Sequence, residues 1–494
     1  MAAVKEPGKF VWWIAPTLVL VSLWILGCWI PDHQKVAQAD QEKNAGDRRT
    51  TFLSSGPGPY NILDQHPTSN VPYPNAFLSK KLPNAGAGGP THLMPKSDLI
   101  VAEMMSSGDS YSQGSAFNLL EAPGFGPGGQ TYYATPGQND GNHNTLYYGH
   151  ATDPTYTLSG CSYGGTGLNG MTFHAPSGAL STMGFNCTRG DPASCFDKEL
   201  AVWDQTTNKI FSFYNLYPGL PPCSGNCTLN VPNGYCAEAD WATDKGYGNQ
   251  INTASISPFG GTTRIAELCG DLPCSGSKFG HIHHHLRLLH LCSDTGGGTY
   301  PARQVFPDVI YGNTAYLCSD LKAKLDTIFN YANMPPNGAL VFLDYTQAQL
   351  DCMDPTKAAC PGISKLSAWQ FPLIEAMVLY GGTLEDTGPY GGVYTSAIES
   401  EQALVWSETH GHPGAEAIAT SFTHWLTANC TGSNCQHTTS SLPLSGDRWN
   451  LEPFVGISNT SDGRDVLHHM HLADPCVAIA MAGLPSYNGV KACP

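Results

Sequence analysis

Charge is scarce in this sequence. Asp, Glu, Lys and Arg make up 13% of its 494 residues, about half the usual share. Basic residues are the scarcer kind: 24 Lys and Arg stand against 40 Asp and Glu, a net charge of −16. So acidic a chain repels phosphate backbones, and nucleic acid is not an expected partner. The acidic residues are dispersed, so there is no acidic tail. No CxxC pair occurs, which argues against zinc ribbons and thioredoxin-like motifs. No CxxCH occurs, which removes c-type haem. A repeat of fixed period is also missing, and with it the signature of a solenoid or propeller.

What the sequence has in quantity is Gly (54), Pro (37) and Cys (17). Hydrophobic residues reach 41%, enough for a core. With Cys28 set aside the Cys count is even. Several Cys lie close together: Cys187/Cys195, Cys223/Cys227, Cys269/Cys274, Cys352/Cys360 and Cys430/Cys435. Disulfides formed in an oxidising compartment are the simplest reading. The N-terminus agrees. Lys5 and Lys9 precede an apolar run over residues 10–30, long enough for one membrane-spanning helix with the chain beyond it outside. Ile25-Leu26-Gly27-Cys28 also fits a lipoprotein signal, with Cys28 lipidated. Either way the functional part is expected outside the cytoplasm, tethered to a membrane. Residues 31–60 are polar and read as a flexible linker.

Strand signals dominate the rest. Residues 199–204 and 209–215 are rich in β formers and flank the turn Gln205-Thr206-Thr207-Asn208, which predicts a hairpin. Residues 171–174, 280–292 and 339–344 also read as strands. Helices are expected over 366–380, where apolar residues recur three or four apart, over 415–426, and over 99–105 with Ser97 or Asp98 as the cap. The balance predicts an all-β-dominated β-sandwich or jelly-roll core over 61–410, with long disulfide-rich loops and a few helices. Residues 411–494 are expected as an extension packed on it.

Two motifs fail on context. Gly165-Thr-Gly167-Leu-Asn-Gly170 matches GxGxxG, but a strand signal follows where a dinucleotide site needs a helix. Gly160-Cys-Ser162-Tyr-Gly164 matches GxSxG, but no helix signal follows Ser162, and Cys161 is a candidate disulfide partner. The segment from Gly280 to His290 is more informative. In a strand, Ile282, His284, Leu286 and Leu288 share one apolar face; His281, His283, His285 and Arg287 share the other. Such a polar face suits a cleft wall. Two residues apart, His281 and His283 could chelate one divalent metal ion. The i+4 residue is ~13 Å away, so a third ligand must come from elsewhere, with His468, His469 and His471 as candidates. A plain polar wall with a buried, hydrogen-bonded His284 is the competing reading.

Carboxylates suited to acid–base work are Asp197, Asp204, Glu267 and Asp386, although Asp at strand ends often only shapes turns. Tyr132, Tyr133, Tyr147 and Tyr148 lie in Gly- and Asn-rich stretches, where flat rings could stack on sugar faces or simply anchor loops.

The order of these segments resembles a group of secreted, mostly bacterial β-rich proteins of unassigned activity. The resemblance rests on Asn75-Ala-Phe-Leu, Pro95-Lys-Ser97-Asp-Leu-Ile and the hairpin from Asp197 to Tyr214. It continues through Arg264-Ile-Ala-Glu267, Gly280-His-Ile-His-His284-His-Leu-Arg287, Tyr300-Pro-Ala-Arg303 and the stretch from Leu373 to Gly388. It covers roughly 70–400. It departs at His285, where the group has Ala, and in the added Cys pairs and the C-terminal extension. The resemblance implies secretion, a β-rich fold, an Ile-Arg-x-x-Glu strand carrying Glu267, and Glu267, His284 and Arg287 as the more general site residues. It supplies no activity.

The resulting expectation is a membrane-tethered, extracytoplasmic enzyme that cleaves a polysaccharide, by hydrolysis or by β-elimination at a uronic acid. Glu267 and Asp197 would be catalytic carboxylates. His284 and Arg287 would assist in catalysis, and His283, Tyr300, Arg303 and Tyr147 would bind substrate. Two other classes stay open: a metal-binding or redox surface protein built on the His cluster, and a non-catalytic glycan-binding module.

Overall fold

The computed structural model of the protein describes residues 77–106, 117–118, 120–125, 145–161, 166–179, 200–214, 216, 219–231, 235–240, 247, 263, 265–290, 305–307, 335–387, 393–395, 415–430, 435–438, 447–451 and 464–494. The expected anchor, the linker, Asp197, Tyr300 and Arg303 lie outside these residues. Among the described residues no helix is long and apolar enough to cross a membrane.

Strands in several sheets dominate, and helices are few. The largest sheet has six strands in the order β1 (Phe117–Asn118), β13 (Val393–Thr395), β10 (Leu286–His290), β12 (Gly382–Thr387), β11 (Leu340–Leu343) and β16 (Met470–Leu472). Its inner strand β11 is a short apolar run with all four residues buried. One core joins this sheet to helices α1 (Ser97–Ser106), α2 (Ile265–Cys269), α3 (Gln347–Met353), α4 (Gln370–Leu379) and α5 (Ala415–Asn429). Leu286, Leu288, Val341 and Leu384 meet Ile265, Leu268, Leu373, Met377, Phe422 and Trp425 there. The stripe expected over 366–380 is α4. It is buried nearly all round, as suits a helix packed on a sheet inside a core. It ends at Tyr380 and Gly381, the glycine at φ +79°.

A second core lies between two smaller sheets. One has the order β3 (Thr145–Gly149), β6 (Leu200–Asp204), β7 (Lys209–Tyr214), β9 (Tyr235–Asp240). The other has β5 (Thr172–His174), β4 (Thr155–Ser159), β8 (Asn226–Asn230). Tyr156, Leu158, Phe173 and Leu229 of the smaller sheet pack on Tyr147, Val202, Phe211 and Phe213 of the larger, with Phe173 and Phe211 stacked 4.8 Å apart. Alternation turns Tyr148, Ala201, Ile210 and Ala239 of the four-stranded sheet toward the first core. That sheet is therefore a middle layer. The predicted hairpin is β6–β7. Asn208 takes φ +57° in its turn, and buried Asp204 accepts from the Thr206 N–H and the His174 N–H, so this carboxylate shapes the turn.

The chain after 411 was expected to pack on the domain, and it is woven in. β16 pairs with β11, α6 (Val466–His469) leads into β16, and α5 supplies core side chains. β15 (Asp447–Leu451) lies between β14 (Cys435–Thr438) and β2 (Leu120–Phe125). The tail forms α7 (Pro475–Met481) and the pair β17 (Ser486–Tyr487) and β18 (Val490–Lys491). Among the described residues four strand pairs are parallel (β1–β13, β10–β12, β3–β6 and β4–β8), unlike the antiparallel pairing of a jelly roll.

Disulfides join Cys161–Cys236, Cys223–Cys227, Cys269–Cys274, Cys352–Cys360 and Cys476–Cys493. Three of these pairs were expected from spacing. Two local readings change. The segment around Glu267 is the helix α2 where a strand was expected. Of the strand expected over 280–292, residues 286–290 alone are strand among those described.

Candidate functional site

The site is built on residues 278–285, an irregular segment zipped to its surroundings before β10 begins. Its entry is held by Trp425 Nε1, which donates to the Lys278 carbonyl at 2.8 Å, and by Phe279, whose ring meets Phe371 of α4 edge-on at 5.1 Å. Gly280 then lies directly on α2. Its N–H donates to the Leu268 carbonyl at 2.9 Å, and a Cβ here would sit 2.6 Å from the carbonyl oxygens of both Ala266 and Glu267. Only glycine allows this approach. It places the His-rich segment against the helix that carries Glu267.

Beyond Gly280 the side chains partition by burial. His281 and His283 are exposed; Ile282, His284 and His285 are buried. His285 was expected on the polar face with its two neighbours. It turns inward because the segment is not yet strand. Its backbone N–H donates to the Leu78 carbonyl at 2.8 Å. Its ring Nε2–H donates to the Lys80 carbonyl at 3.1 Å, and Nδ1 accepts from Thr383 Oγ1 at 3.2 Å. Burial depresses its pKa to about 3, so it stays neutral.

His284 is the centre of a buried pair. Nδ1 donates to the His285 carbonyl at 2.7 Å, and Nε2 lies 3.2 Å from Glu267 Oε2, both side chains being fully buried. A carbonyl only accepts, so Nδ1 carries a proton. One further proton lies between Nε2 and the carboxyl. The expected catalytic carboxylate is thus enclosed at 1% exposure, and a polymer cannot reach it directly. Tyr147, expected to bind substrate from a loop, is corrected likewise. It lies in β3 with no exposed surface, its ring in the second core. Arg287 lies in β10 opposite Thr383.

The open side of the segment carries groups that sequence reading missed. Glu375 Oε2 lies 2.5 Å from His281 Nδ1, and this bond raises the His281 pKa. The Tyr380 hydroxyl lies 3.5 Å from His283 Nδ1, at the outer limit of a hydrogen bond. Lys81 Nζ stands 5.9 Å from the centroid of the Tyr380 ring. Burial lowers the His283 pKa, which favours the neutral imidazole. Burial, with the charges of Glu375 and Glu267, raises that of Tyr380, which keeps the phenol protonated. One signal in the sequence could have found Glu375: it is the single charged residue in α4.

The rings of His281 and His283 lie 6.3 Å apart, with His281 Nδ1 committed to Glu375. The third ligands proposed for them have other partners. His469 Nδ1 and His471 Nε2 lie 2.5 and 3.1 Å from the two oxygens of Asp344, and His468 pairs with Asp465. Among the described residues, His92, Cys476 and Cys493 bring ligand atoms within 4.8 Å of one another, but both sulfurs are in a disulfide. We therefore read His281 and His283 as hydrogen-bonding and proton-transfer groups.

No protein-family model, curated protein or solved structure matches the chain.

Proposed function

We propose that this protein is an extracytoplasmic, membrane-tethered enzyme that cleaves a polysaccharide by β-elimination at a uronic acid, with His283 as base and Tyr380 as acid. The observation that carries the reading is their contact: an accessible imidazole favoured in its neutral form beside a phenol kept protonated. His283 Nδ1–H would donate to the phenol oxygen, leaving Nε2 free to take the proton from C5 of the sugar. The C5–H electrons then form the C4=C5 double bond as the C4–O4 bond breaks. The leaving O4 takes the Tyr380 proton, and no water enters. The phenolate recovers a proton from His283 Nδ1 across the same contact. Lys81, exposed beside the Tyr380 ring, would neutralise the uronate carboxylate, with Arg287 as a second candidate. Hydrolysis fits less well because Glu267, the carboxylate expected to serve it, is enclosed. The disulfides support a location outside the cytoplasm, and the apolar run over 10–30 supports the tether.

The test is product analysis by mass spectrometry with a panel of neutral and uronic-acid polysaccharides. The expected products are oligosaccharides lighter by one water than hydrolysis products. H283A and Y380F are each expected to lower kcat by about 10²- to 10⁴-fold. Saturated products, or no product from any uronic-acid polymer, would overturn the proposal.

A further inference from the structure

The structure encloses a carboxyl–imidazole pair directly behind His283, and nothing in the elimination step above uses it. Burying such a pair is costly unless its hydrogen bonds are complete and its position matters. His284 is fixed at both ring nitrogens, by the His285 carbonyl at 2.7 Å and Glu267 at 3.2 Å. Glu267 is fixed in turn by α2, on which Gly280 rests without room for a methyl group. The neighbours of His284 in sequence then have no choice of direction. His285 goes inward to Thr383 and Lys80, and His283 goes outward to Tyr380.

We infer that Glu267 and His284 are positioning residues that set the direction of His283 toward Tyr380, without themselves touching the substrate. The inference rests on the reading of His283 and Tyr380 as base and acid. The His285 N–H bond to the Leu78 carbonyl holds the far side of residue 284, but without the pair the side chain at 284 is no longer tied to α2, and His283 loses its place beside the phenol. The effect belongs to the chemical step. His281 is held separately, by Glu375 on α4, and Lys81 stands beside the Tyr380 ring, so neither depends on the buried pair.

Three variants of the full chain test this: E267A, E267Q and H284N. Gln at 267 can still hydrogen-bond His284 Nε2. Asn at 284 can still donate to the His285 carbonyl but does not reach Glu267. E267A and H284N are expected to lower kcat about 10- to 100-fold while KM moves less than about 3-fold, and E267Q is expected to recover most of the loss. A second readout does not need turnover. In histidine-labelled protein at fixed pH, the His283 ring resonances, assigned by their loss in H283A, should move in E267A and H284N and remain near their native positions in E267Q. A variant that is merely less stable would show native His283 resonances in its folded fraction. Unmoved resonances in E267A and H284N, or a rise in KM with kcat unchanged, would overturn the inference. If the wild type forms no unsaturated product while the resonances move as described, the elimination reading falls and the positioning role stands.

Discussion

At the scale of single residues, protonation is the variable the site controls. The lowered His283 pKa puts the acid limb of kcat/KM below the ordinary histidine value of 6.5. The raised Tyr380 pKa puts the alkaline limb above the ordinary 10. A pH–rate profile with a wide plateau between these limits is the expected outcome, and the residual activity of Y380F should lack the alkaline limb. His285 makes a different prediction, about stability. The unfolded chain binds a proton on this imidazole below about 6.5, whereas the folded chain resists it until about 3. Its contribution is therefore whole above pH 6.5 and lost as pH falls toward 3, by up to about 1.4 kcal/mol per unit. Urea unfolding at pH 7, 5 and 4 should show the fall, and H285Q should flatten it. Asp344 adds a loss at lower pH. Burial opposes its ionisation, but His469 and His471 hold its pKa at about 2 against the ordinary 3.8. Its stabilisation is whole above 3.8 and fades below.

At the scale of elements, Gly280 is the most sensitive position. Replacing it with Ala sets a methyl group against two carbonyl oxygens of α2, so either the segment or the helix must move. G280A is expected to lower the melting temperature by several degrees and to reduce kcat together with it, read by thermal unfolding and initial rates. The same position explains what sequence reading could and could not see. Alternation and a turn signal made the β6–β7 hairpin legible, and apolar residues three or four apart made α4 legible, because these signals are local. The short apolar run around Glu267 has too few residues to separate helix from strand, and the strand that the resemblance implies there is the helix α2. The alternation from His281 to Arg287 gives the correct burial at five positions, 281 to 284 and 286. It failed at His285, where Thr383 and Lys80 impose a direction from distant parts of the chain. Glu375 and Tyr380 could not be assigned because their partners lie 94 and 97 residues away.

At the scale of the whole molecule, disulfides bind layers together. Cys161–Cys236 closes a span of 75 residues from one sheet of the second core to the other. Cys223–Cys227 closes only 4. The entropy of loop closure makes the first worth about 4 kcal/mol and the second about half as much. C161S/C236S should therefore lower the urea midpoint more than C223S/C227S. The layered sheets and the disulfide chemistry were visible in composition and strand patterning. The parallel strand pairs were not, because pairing partners far apart in sequence leave no local mark. Trp425 holds the Lys278 carbonyl, so the entrance to the His-rich segment is fastened by a residue 147 positions later. On the ribosome that residue arrives well after the segment itself. Nascent chains halted before Trp425 would carry all the reactive groups named here and still lack the clamp that orders them, so activity should first become measurable only after α5 has been synthesised.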